Sequence, residues 1–247
     1  MDKRRSWLGA SALLIGAGLT GAAATYLWWL PCKGQMLLGT PLGSDSAGDP
    51  GQACIDRMGE GTPIPLPTQA ALSAPGLLVL ATVTIVLVSV AWLLPVLTQP
   101  ISRGRQVIAA LPALGAAAVA VLGVGIAYEV PGAEDLAYPL DTFVSLLVVV
   151  AVVVLWGHVA ARARLLVAAL ALSSMGFAGP VAEYMVMVWW SELNWDAPPG
   201  SGYLTAAFLV ICGITVLTMT VVGRLLPPAG PRVVLTEAAP MSDAGTR

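Results

Sequence analysis

The stretch APGLLVLATVTIVLVSVAWLLPVL, residues Ala74 to Leu97, contains no charged side chain. At about 1.5 Å per residue it is long enough, as a helix, to cross a hydrocarbon slab of about 30 Å. Five comparable apolar runs flank it, at about residues 7–30, 107–128, 142–161, 165–190 and 203–226. The composition agrees. Of 247 residues, 57% are hydrophobic and only 11% charged, whereas a soluble domain carries about 25% charged residues. The expected fold class is therefore all-α, a polytopic bundle of six transmembrane helices. Its principal partner is the lipid bilayer. The net charge of −2 matters less than where the charges fall, and no basic run interleaved with aromatics suggests nucleic acid.

Lys3-Arg4-Arg5 precede the first run, and Ala22-Ala23-Ala24 could serve as a signal-peptide cleavage site. The apolar run nevertheless continues through Tyr26-Leu27-Trp28-Trp29-Leu30, which favours a retained first helix. Gly16, Ala17, Gly18 and Gly21 would let another helix approach it closely. Ala109, Ala113 and Ala117 form a similar face on the third span.

Between the first two spans, residues 31–73 are polar and rich in Gly, Pro and Asp. Asp49-Pro50-Gly51-Gln52 reads as a helix start, with Asp as N-cap and Pro in the first turn. A short helix carrying Cys54, Ile55 and Met58 would end near Gly59, and Thr62 to Pro67 would then be extended. The remaining connections are expected to be short. They comprise a turn with Arg103 and Arg105, an acidic loop from Glu129 to Asp141, a link with Arg162 and Arg164, and a loop from Ser191 to Gly202. Residues 227–247, after Pro227-Pro228, read as a disordered cytoplasmic tail.

The positive-inside rule sets an orientation. With both termini in the cytoplasm, ten of the twelve basic residues fall inside and only Lys33 and Arg57 fall outside. Asp45, Asp49, Asp56, Glu60, Glu129, Glu134, Asp135, Asp141, Glu192 and Asp196 fall outside. Trp28, Trp29, Trp189 and Trp190 are expected to mark the outer interface, and Trp7, Trp92 and Trp156 the inner one. A multi-pass protein of the cytoplasmic membrane follows.

On that orientation Cys32 and Cys54 lie on the oxidising side and are expected to form a disulfide stapling the outer segment. No C-x-x-C is present, so the pair reads as structural and not redox-active; Cys212 reads as a small apolar residue. Glu183, with Tyr184 beside it, follows Gly179-Pro180 as the carboxylate of an otherwise apolar run. A carboxylate there is a candidate ion or proton site. Its depth, about 27 Å along the helix from Leu165, equally suits an interfacial acid hydrogen-bonded to the outer loops. His158 is the single histidine, short of a haem or zinc set. Ser173-Ser174 lack the setting of an intramembrane nucleophile. There is no P-loop, dinucleotide fingerprint or metal-ligand cluster, so no catalytic residue, metal or cofactor is expected. Two functions compete: a non-enzymatic accessory or assembly component packing against other membrane proteins, and a small-solute, cation or proton transporter using Glu183 at an outer vestibule.

Overall fold

The structure is a computed structural model that describes residues 3–32, 52–60, 76–98, 101–155, 183, 185–186 and 199–222. Every element among them is helical: α1 (Lys3–Trp28), a 3-10 turn (Leu30–Cys32), α2 (Gln52–Glu60), α3 (Leu77–Thr98), α4 (Arg103–Ala127), α5 (Ala133–Leu155) and α6 (Tyr203–Val221). Five of these helices are long and apolar enough to cross a membrane, and the chain is a multi-pass membrane protein on that ground. Six spans were expected. The expected fifth, residues 165–190, lies outside the described residues apart from Glu183, Met185 and Val186, which are helical. Tyr184, His158, Trp156, Trp189, Trp190, the link with Arg162 and Arg164, most of the 31–73 segment and the tail also lie outside them.

The helices pack as a row in which α1 sits between α6 and α3, and α3 leads on to α4 and then α5. Hydrogen bonds and close approaches fix each neighbour as antiparallel. On α1 and α3, Ser6 meets Thr98 and Thr20 meets Thr84, both at 2.9 Å between hydroxyl oxygens. Trp92 donates its indole N–H to the Ala109 carbonyl across α3 and α4. A Cβ on Gly115 would come within 2.5 Å of Val144, and one on Gly125 within 3.1 Å of Ala133, which aligns α4 with α5. Ser11 of α1 donates to the Gly213 carbonyl of α6 at 2.8 Å. It follows that α5 and α6 run in the same direction, so Leu155 and Tyr203 lie at opposite poles of the bundle. One pole carries α2; the other carries Arg4, Arg5, Arg103 and Arg105.

Small residues make the α1–α6 contact possible. A Cβ on Gly18 would stand 2.7 Å from the Ala206 carbonyl, and one on Gly213 3.0 Å from the Ile15 nitrogen. Both obstacles are backbone, which cannot rotate away. On α4 the buried small face runs through Ala109, Ala113, Ala116 and Ala120, while Ala117 is only half-buried. A strict four-residue repeat rotates off a fixed face because each α-turn holds 3.6 residues.

Two expectations need correction. The fourth span begins at Ala133, not near residue 142, so most of the expected acidic loop is helix. The α4–α5 turn closes within a few residues. Glu129 takes a left-handed φ of 55°, its N–H bonds the Ile126 carbonyl, and the Val130 N–H bonds the Gly125 carbonyl. That pair of bonds is a Schellman cap. Glu134 and Asp135 in the first turn of α5 then favour the helix by complementing its dipole, although as a sequence they read like loop. The second correction concerns the tryptophans. Trp7, Trp28, Trp29 and Trp92 lie near helix ends but are buried in the bundle, where Trp29 and Trp92 find carbonyl partners for their N–H groups.

Candidate functional site

The α2 pole gathers the residues that sequence reasoning singled out. Cys32 and Cys54 are disulfide-bonded, with their Cα atoms 4.9 Å apart. The bond ties α2 to the end of α1. Around it Ala24, Trp28, Trp29, Met58 and Leu77 form a small apolar cluster separate from the main core. The Arg57 guanidinium lies over the Trp28 ring, 4.3 Å from its centroid, a cation–π contact. The 3.6-residue repeat of α2 turns Cys54, Arg57 and Met58 inward and leaves Gln52, Ala53, Ile55, Asp56 and Gly59 exposed.

Glu183 lies beside this cluster, at the start of α6. The N-cap of α6 is Gly202, in a left-handed conformation at φ 109° with no side chain to offer. A Cβ there would strike the Thr25 hydroxyl at 2.6 Å, so the crowding against α1 excludes the usual Ser, Thr or Asp cap. The first turn of a helix nevertheless leaves its N–H groups without partners. Glu183 supplies them from elsewhere in the chain. Its carboxylate accepts from the N–H of Gly202 at 2.6 Å, of Leu204 at 2.9 Å and of Thr205 at 3.0 Å, and from the Thr205 hydroxyl. The residue is only 6% exposed. The negative charge faces the positive end of the α6 dipole. Trp29 closes the group by donating its indole N–H to the Ser201 carbonyl at 2.8 Å.

The structure thus brings Glu183 together with Gly202, Leu204 and Thr205, none of which the sequence singled out as its partners. Thr205 was legible only in retrospect, as a hydroxyl in the first turn of an apolar helix. Cys212 is buried on α6, as expected of an apolar residue. Thr84, Thr215, Thr218 and Thr220 bond back to carbonyls four residues earlier. The buried hydroxyls of Thr82 and Ser89 meet no partner among the described residues. No group of three or more His, Cys, Asp or Glu side chains suited to a metal occurs among the described residues.

The expectation that Glu183 is the lone carboxylate of the apolar runs also needs correction. Asp141 sits inside α5 and is 3% exposed. It shares the buried stripe of Ala137, Val144 and Val148.

Comparison with protein-family models, with curated proteins and with solved structures finds no match for this chain.

Proposed function

We propose that this is a non-enzymatic accessory or assembly component of the cytoplasmic membrane, which presents the α2 pole outward to another membrane protein. The observation that carries the reading is the way α2 is held. A disulfide, a cation–π contact and the buried Met58 fix a nine-residue helix that is too short to persist alone in water. Its outer face keeps Ile55 44% exposed beside Asp56. A rigid, partly apolar face loses little conformational entropy on binding. The placement of this pole outside the cytoplasm rests on charge: Arg4, Arg5, Arg103 and Arg105 gather at the opposite pole, as the positive-inside rule requires of a cytoplasmic face. A chain with both termini inside also needs to cross back between Leu155 and Tyr203, and in the sequence the apolar run 165–190 is long enough for that crossing.

In this reading Glu183 anchors α6, and its engagement by Gly202, Leu204 and Thr205 supports an anchoring role over an ion or proton vestibule shared with Tyr184. Two measurements test the proposal together. A photo-crosslinking side chain at position 55 should join a membrane partner in gentle detergent, whereas one at position 105 should not. A homogeneous monomer with no adduct at either position would end the accessory reading. Flux into proteoliposomes that depends on the Glu183 carboxylate would replace it with the transporter.

A further inference from the structure

We propose that Asp141 is a proton-binding site within the membrane, its carboxyl holding a proton while the seam between α4 and α5 is closed. The approaches of Gly115 to Val144 and of Gly125 to Ala133 set the register of the two antiparallel helices. Asp141, three residues from Val144 toward the α2 pole, is then level with Ala118. Along α4 that level is about 14 Å from Ala127 and about 16 Å from Val107, near the middle of its apolar stretch. The side chain is short and 97% covered, so it cannot extend to the interface as a lysine or arginine does. It also lies more than two turns beyond the start of α5 at Ala133, outside the first turn where a helix dipole stabilises an acid.

Nothing described neutralises it. Among the described residues no hydrogen bond or ion pair reaches the carboxylate; the Ser145 hydroxyl bonds the Asp141 main-chain carbonyl instead. Between Arg105 and Tyr128, α4 presents no titratable group. On α5 the nearest are Tyr138, Asp135 and Glu134, toward the α2 pole and either neutral or of like charge. An ionised, unpaired carboxylate in such a seam carries a desolvation penalty that a bound proton removes. A membrane-embedded acid without a partner is therefore a site for a proton, and losing the proton requires water to enter between α4 and α5. This inference is independent of the partner-binding reading, since Asp141 is covered by the bundle and cannot touch a docked protein.

The test uses the full-length protein in lipid vesicles and dicyclohexylcarbodiimide, an apolar reagent that modifies protonated carboxyls. The acid proton moves to a carbodiimide nitrogen as the carboxyl oxygen adds to the central carbon, and the adduct rearranges to a stable N-acylurea. Peptide mapping of the wild-type protein should locate the adduct on Asp141, with at least tenfold less on Glu183, and the yield should fall as the pH is raised. Asp141→Asn, which resembles the neutral acid in shape, should keep the wild-type thermal midpoint and lose the infrared carbonyl band of a protonated carboxylic acid. Absence of an Asp141 adduct, an infrared band that survives in Asp141→Asn, or protection from labelling by sodium at constant pH would each overturn the proposal. If Asp141→Asn does not fold, the proposal also fails, because a neutral isostere should be tolerated at a protonated site.

Discussion

The carboxylate of Glu183 receives both the backbone N–H and the hydroxyl of Thr205, a residue 22 positions further along the chain. A helix whose own N-cap is a glycine thus takes its cap from a glutamate in another segment. Once Gly202 is pressed against Thr25, no local side chain can fill that role.

Replacing Glu183 by Gln should therefore destabilise the bundle without abolishing a chemical activity. The amide keeps one acceptor but brings an N–H₂ group toward backbone N–H donors and removes the charge. A loss of about 2–3 kcal/mol is expected for a buried, charge-assisted set of this kind. Unfolding in mixed micelles of increasing denaturing-detergent fraction should show it, and a midpoint equal to the wild type would refute the capping role.

Gly18→Val should be about as disruptive, since its Cβ would meet the Ala206 carbonyl and the Val210 nitrogen. The expected cost is about 2–3 kcal/mol, because backbone obstacles cannot change rotamer. Gly104→Ala serves as the control. Nothing lies within 4 Å of its added Cβ, and a helical alanine is worth about 0.5–1 kcal/mol over glycine. If both variants shift the midpoint alike, the α1–α6 contact is not the cause.

Reducing the Cys32–Cys54 bond releases a loop with a sequence separation of 22, worth about 3 kcal/mol in the chain-entropy model. The Cys32→Ser, Cys54→Ser double variant should show that loss and become insensitive to reductant, while the wild type converges on it when reduced. Thiol labelling of the native wild-type protein should be slow, because Cys212, the remaining cysteine, is buried. Rapid labelling of Cys54 in unreduced protein would contradict the staple.

Glu129→Gly offers the opposite sign. The left-handed position of Glu129, just past the C-cap of α4, is strained for any residue with a Cβ, and glycine relieves that strain. A gain of about 0.5–1 kcal/mol is expected. A loss would mean that the Glu129 side chain contributes more to the α4–α5 turn than its backbone costs.

The existence of five of the spans, the short helix around Cys54 and the disulfide were legible in the chain. Each depends on local information: the length of an apolar run, a short run of helix-compatible residues around Cys54, and the count of cysteines. The start of α5 was not legible, because Glu134, Asp135 and Pro139 are loop signals by composition and helix-start or tolerated membrane residues by position. The candidate site was half legible. Glu183 stood out as a carboxylate among apolar residues, but Gly202, Leu204 and Thr205 could not be assigned to it, since they lie about 20 residues further on in an apolar segment with unremarkable neighbours.

Sequence by itself determined that this chain is a helical membrane protein, because hydrophobic length is a property of consecutive residues. Tertiary structure alone decided which acids are special. Glu183 is satisfied by a helix terminus that reaches it from later in the chain, whereas Asp141, which reads as part of a solvated acidic loop, is carried into the bundle by the register of α5 on α4. The physical reason is that the cost of a charge depends on what surrounds it in space, and neighbours along the chain do not reveal those surroundings.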